Sequence, residues 1–166
     1  DFDLFLEKAI PQSLFKKAHA VLGIKEKLLD NPDQLTFLTT QGIKITFLAY
    51  PFPRLHRPIK TPSVPLFDLK DLASDKAATI GRRGVWRDYV DFFFLLKKRV
   101  VSLSGIMKEA KKRFGPEFSS KLFLEQLVYY DDIKDFSIDF ITKSYQPSEV
   151  QEFFMKLVRD FRKKQF

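Results

Sequence analysis

Leu35-Thr36-Phe37-Leu38-Thr39-Thr40-Gln41-Gly42-Ile43-Lys44-Ile45-Thr46-Phe47-Leu48-Ala49 holds two runs rich in β-branched and aromatic residues, 35–40 and 43–49, on either side of Gln41-Gly42. Such side chains suit a pleated surface and a glycine suits the tight reversal between two strands, so the stretch predicts a β-hairpin. Upstream, residues 1–6 alternate like a short strand. Residues 13–22 then place Leu14, Phe15, Ala18, Val21 and Leu22 at helical spacing between Pro11 and Gly23. Downstream, five prolines between Pro51 and Pro65 interrupt regular structure. Beyond them the periodicity turns helical over 69–82, 86–99, 103–114, 118–129 and 147–162. A small sheet followed by a run of helices predicts an α+β fold: a mixed or antiparallel sheet in the N-terminal third, then a helical C-terminal part. The expected organisation is an α/β core over 1–65 with a helical part, 66–166, packed on it as one structural unit.

The composition excludes several classes. A chain of 166 residues buries enough surface for a real core. With 45% hydrophobic and 30% charged residues it is neither disordered nor, lacking any long apolar run, membrane-spanning. The absence of cysteine removes disulfides, zinc–thiolate sites and thiol nucleophiles, and the cytoplasm is the expected location. Phenylalanine supplies 19 aromatic residues against five tyrosines and one tryptophan, which predicts rings used as core bulk. The net charge of +8 favours an anionic partner. Cations concentrate in 97–113 (Lys97, Lys98, Arg99, Lys108, Lys111, Lys112, Arg113) and at the C-terminus, whereas acidic residues gather in 117–139. Solvated helix faces account for each basic run equally well.

A few residues have types and spacings suited to chemistry. Asp1 and Asp3 stand two apart on the first expected strand, so their carboxylates share a face and could grip a divalent cation; Mg²⁺ usually takes one or two protein carboxylates. Lys76 falls among Leu72, Ala73, Ala77 and Ile80 on the buried stripe of its helix, where an ammonium must snorkel to water or find an anion. Arg83 follows two turns later. Asp88 and Asp91 open a helix that is otherwise apolar nearly all round. Asp88 could favour the helix N-terminus and Asp91 could pair with Arg87 at i,i+4, or both could be put to use. His19 and His56 share no neighbourhood with a nucleophile. Glycine is too sparse for a phosphate-binding loop; Gly81 and Gly84 are expected to end a helix.

Taken together, these segments resemble the AbiEii-type nucleotidyltransferases, the abortive-infection toxin family within the polymerase-β-like nucleotidyltransferase superfamily. Asp1-Phe2-Asp3-Leu4-Phe5 resembles the DxDxF half of the first motif, and Gly42 to Pro51 resembles the second strand and its exit. Asp71 to Lys76 and on to Arg83, followed by Arg87-Asp88-Tyr89-Val90-Asp91, resembles the lysine and RDxxD motifs. Leu127-Val128-Tyr129-Tyr130-Asp131-Asp132 resembles the turn in the helical part. The resemblance implies transfer of a nucleotidyl group from an NTP to an acceptor, RNA among the candidates, by a toxin with a cognate antitoxin. It assigns Asp1 and Asp3 to Mg²⁺, Lys76, Asp88 and Asp91 to catalysis, and Arg83 and Arg87 to substrate binding. It also marks two departures. The Gly-Ser half of the first motif would precede Asp1, which implies an N-terminally truncated core. Thr46 stands where the family carries a third carboxylate, and a threonine hydroxyl replaces neither a metal ligand nor a general base near neutral pH.

Overall fold

The computed structural model describes residues 1–141 and 143–164. The fold is of the expected α+β class, and the chain divides into two compact units, Asp1–Pro53 and Arg54–Phe166.

The first unit is a four-stranded mixed sheet with one helix. Strands β1 (Phe2–Leu6), β2 (Ile24–Asp30), β3 (Gln34–Thr39) and β4 (Lys44–Ala49) lie in the order β1-β4-β3-β2. The quoted hairpin is β3–β4: Gly42 takes φ +77°, a left-handed conformation that glycine adopts without steric cost, and its N–H donates to Thr39 O at 2.9 Å. Strand β1 then pairs with β4 in parallel. Leu35 and Phe37 of β3 are fully buried. Phe37 packs against Phe47 and, edge to face, against Phe15 of helix α1 (Leu14–Val21), with ring centres 6.3 Å apart in the second pair.

Strand β2 is absent from the sequence expectations. Its residues, Ile24-Lys25-Glu26-Lys27-Leu28-Leu29-Asp30, show no apolar alternation because β2 is an edge strand that is exposed along nearly its whole length and mixes charges of both signs. Asn31 fixes the turn into β3, its Oδ1 accepting from the N–H groups of Asp33 and Gln34 at 3.0 and 2.7 Å.

The second unit is helical: α2 (Leu69–Ile80), α3 (Trp86–Lys97), α4 (Leu103–Phe114), α5 (Ser120–Gln126) and α6 (Pro147–Lys163). The starts follow capping rules. Asp68, Ser102 and Ser119 accept backbone N–H bonds at the heads of α2, α4 and α5. Helix α6 opens with Pro147, and the Glu149 carboxylate bonds back to Gln146 N at 2.8 Å. Helix α5 is shorter than the expected 118–129, because the Ser119 cap fixes its start and the chain turns after Leu127.

Fully buried Ala73 and Ala77 let neighbouring helices approach α2 closely, while α3 supplies Tyr89, Phe92 and Phe93 to an aromatic core. Phe92 stacks on Phe154 of α6 and meets Phe123 of α5 edge to face, as the phenylalanine surplus predicts. No helix among the described residues is long and apolar enough to cross a membrane.

The basic run 97–113 requires one correction. Arg113 is no part of a solvated face: its side chain is wholly buried and donates to Asp71 O and Ser74 Oγ, both at 2.7 Å, with the Asp75 carboxylate 3.1 Å away. The buried Asp71 carboxylate accepts in turn from the N–H groups of Leu55 and His56 at 3.0 Å each. This polar core ties the start of the unit to α2 and α4 through the Asp71 carboxylate and Arg113 Nη1, polar groups that are hydrogen-bonded where water is absent.

Candidate functional site

Lys76 sits on α2 with its side chain 19% exposed, between turns whose Ala73, Ala77 and Ile80 are buried. Helix α3 presents Asp88 and Asp91 to it, three residues apart and therefore on one face. The Lys76 ammonium donates to Asp88 Oδ1 at 2.8 Å and to Asp91 Oδ2 at 2.6 Å. Arg83, beyond the end of α2, donates through Nη2 to the other oxygen of Asp88 at 3.2 Å. The carboxylates differ in setting, the Asp88 side chain being 5% exposed and that of Asp91 47%.

Burial alone would lower the pKa of Lys76, but the hydrogen bonds and charges of Asp88 and Asp91 outweigh it and hold the ammonium above its ordinary value. The ammonium is thus fixed in place and fully charged at neutral pH. Two cations face two carboxylates, so the cluster is close to neutral as a whole and offers a fixed array of donors and acceptors.

The structure therefore brings together Lys76, Arg83, Asp88 and Asp91. The expected i,i+4 pairing of Asp91 with Arg87 is replaced by the bond to Lys76. Arg87 is exposed instead and lines a different cleft of about 420 Å³ with Gly84, Asp132 and Lys134. There Asp132 lies so close to Gly84 that a Cβ at that position would overlap its carboxylate, and Gln126 Nε2 holds the carboxylate at 2.8 Å. Between Asp88 and Asp91, Tyr89 turns into the core and donates to Gln126 O at 2.9 Å. Burial, with Asp132 and Asp88 adding their charges, pushes the Tyr89 hydroxyl up to about 12.

The remaining candidates lie on the first unit. Asp1 and Asp3 are exposed, and Asp3 is the register partner of Thr46 in the parallel β1–β4 pair, which puts the two side chains on one face of the sheet. Asp1 pairs with Lys44 at 2.9 Å. Thr46 is buried, and its hydroxyl is 3.4 Å from that of Thr36. As hard oxygen donors on one face, the two carboxylates suit Mg²⁺, with Lys44 as the cation that Mg²⁺ would displace from Asp1. Among the described residues, no group of three or more His, Cys, Asp or Glu gathers closely enough to hold a metal.

Sequence reasoning missed the Asp71–Arg113 core. The available signal was spacing: Ile106, Ala110 and Arg113 fall at i, i+4 and i+7 on the buried stripe of α4.

This fold is similar to that of a solved structure described as "putative nucleotidyltransferase from H. pylori", with a TM-score of 0.53, 14% identity, and coverage of 98% of this chain and 77% of that one. A second H. pylori structure, JHP933, is matched at a TM-score of 0.44 with 10% identity. The first of these likenesses shows a shared fold. No family model matches the chain. It is, however, 31% identical to the uncharacterized protein aq_aa25 of Aquifex aeolicus (strain VF5) over 97% of this chain and 78% of that protein. The chain belongs to the same family as aq_aa25.

Proposed function

We propose that this protein is a nucleotidyltransferase of the AbiEii type, acting on an NTP and an acceptor, with RNA the acceptor to test first, as the toxin of a toxin–antitoxin pair. The observation that carries the reading is the constellation of Lys76, Asp88, Asp91 and Arg83, held at 2.6–3.2 Å. These are the residue types that the resemblance assigns to the site, on a fold similar to that of a nucleotidyltransferase-like structure.

In this reaction an acceptor oxygen attacks the α-phosphorus of the NTP, the bond to the β-phosphate breaks and pyrophosphate leaves. Lys76 and Arg83 supply fixed donors for charge on the phosphates. Asp91, with an oxygen not bonded to Lys76 and a half-exposed side chain, is the carboxylate suited to accept the acceptor's proton. Asp88 is buried between Lys76 and Arg83 and positions both. Arg87, exposed on its own cleft, is assigned to acceptor binding. Asp1 and Asp3, on the first unit, are the residues that the resemblance assigns to Mg²⁺, which would supply a Lewis acid able to neutralise phosphate charge.

Incubating the full-length protein with labelled NTPs, Mg²⁺ and total RNA tests the reading. Label should move to RNA with the wild type and not with Lys76→Ala. Equal labelling by both would overturn it.

One observation favours a second reading, a degenerate relative that binds nucleotide, RNA or a protein partner without turnover: Thr46 lies beside Asp3 where the family carries a carboxylate. That reading requires salt-sensitive binding with no label transfer at any Mg²⁺ concentration.

A further inference from the structure

The Lys76–Asp91 pair closes one end of a groove that the charged cluster leaves unexplained. The groove, about 370 Å³, lies between α2 and α3 and falls within the size range of small-ligand sites. Its α2 wall is Leu69, Leu72 and Lys76; its other wall is Asp91, Phe94 and Leu95 of α3, with Lys98 just past the end of that helix. Leu69, Leu72 and Lys76 fall at i, i+3 and i+7, so the α2 wall passes from apolar residues to one ammonium, while the facing wall carries the Asp91 carboxylate at one end and the Lys98 ammonium at the other. Leu69 is 43% exposed, an open position for a large apolar side chain at the head of a helix. The Lys98 ammonium lies 6.0 Å from the Phe94 ring centre, placing a cation beside the aromatic wall.

An apolar slot with an aromatic wall and cations at its ends suits a ligand with a flat apolar body and an anionic tail. We propose that this groove is the nucleoside-binding half of the site, taking the base and ribose of a nucleoside triphosphate between Leu69, Leu72 and Phe94, with the phosphates directed to Lys76. The proposal rests on the nucleotidyltransferase reading and deepens it by assigning residues that the motifs do not mark.

Calorimetric titration of the full-length protein with each of the four ribonucleoside triphosphates, and with inorganic triphosphate, tests it. Wild type should bind the best nucleotide at least about 10-fold more tightly than inorganic triphosphate, because only the nucleotide fills the apolar slot. Leu69→Trp, which fills the groove from an exposed position, should lose about 10-fold in nucleotide affinity and keep its affinity for triphosphate. Phe94→Ala should act in the same direction by removing the wall, and circular dichroism verifies that both variants fold. If wild type prefers nucleotide and neither variant weakens it, the base sits elsewhere and the groove assignment is overturned while the nucleotidyltransferase reading stands. If wild type binds neither ligand, both fall.

Discussion

Lys76 and Asp88, 12 positions apart in the chain, meet at 2.8 Å where α2 faces α3. Each is half of what the other needs: a lysine on a buried stripe requires an anion, and a carboxylate in an aromatic helix requires a cation. Asp91 completes the bridge from a far wetter position. The two carboxylates therefore differ in what they do for the fold, although they are three residues apart.

The first prediction follows from that asymmetry. Asp88→Ala leaves Lys76 and Arg83 without the partner between them and should cost about 3 kcal/mol, the scale of a broken buried pair. Asp91→Ala removes a half-exposed partner and should cost under about 1 kcal/mol. Urea unfolding of both variants checks the difference. A nearly unchanged midpoint in Asp91→Ala combined with lost label transfer would mark Asp91 as a chemical rather than a structural residue.

Alkaline pH supplies the second prediction. Lys76 and the hydroxyls of Tyr89 and Tyr130 all have folded-state pKa values raised above their ordinary ones, Tyr130 chiefly by burial. In each case the unfolded chain loses its proton first as pH rises. Below about pH 10 their contribution to stability is fully present, and above it the contribution falls away through the raised values. Stability should therefore decline from about pH 10 upward, with a shallower decline in Tyr89→Phe. Tyrosinate absorbance should show Tyr89 and Tyr130 titrating late or only on unfolding.

The third prediction concerns the buried polar core. Asp71 accepts the backbone N–H groups of Leu55 and His56 and faces the buried Arg113. Asp71→Asn keeps the shape but removes the charge opposite a guanidinium, and should cost about 3 kcal/mol. Hydrogen exchange should show the amides of Leu55 and His56 losing protection before those of α3. Equal loss everywhere would mean that Asp71 serves the whole core and not this attachment.

Most of this fold is legible in the sequence, because periodicity reports which face is buried. The β3–β4 hairpin, α2, α3, α4 and α6 all carry that signal, and their observed ends lie close to the expected ones. Edge strand β2 is silent because exposure on both faces removes alternation. The chemical residue types at Lys76, Asp88 and Asp91 are legible too, but their pairing is not. Local rules join Asp91 to Arg87 one turn back, whereas packing of α2 on α3 joins it to Lys76, 15 positions away. Arg113 shows the same limit: a charge run reads as solvated until the apolar stripe passing through it is counted.

Gly84 offers a test of local fit. A methyl group there would overlap the Asp132 carboxylate, which Gln126 holds by its Nε2. Gly84→Ala should cost about 1 kcal/mol as that hydrogen bond breaks, and much less in an Asp132→Ala background. The non-additivity of the double-mutant cycle is the measurement. Additive costs would assign the penalty to the backbone at position 84 and not to Asp132.

The last prediction tests the metal assignment on the first unit. Thr46→Asp places a carboxylate beside Asp3 in the register of the parallel pair, at a position only 5% exposed. Two like charges side by side, one of them buried, should destabilise the protein by about 2–3 kcal/mol in chelator. A divalent cation bound between them would reverse the sign of that interaction. Saturation at 100 times the dissociation constant adds about 2.7 kcal/mol to the folded state. Urea midpoints should therefore show Thr46→Asp well below wild type in chelator and close to it in excess Mg²⁺, with Ca²⁺ less effective because it favours a larger shell of oxygens. If Mg²⁺ leaves the variant as unstable as chelator does, Asp1 and Asp3 do not share a cation on this face. The ion pair of Asp1 with Lys44 and the exposure of both carboxylates would then be sufficient account of them.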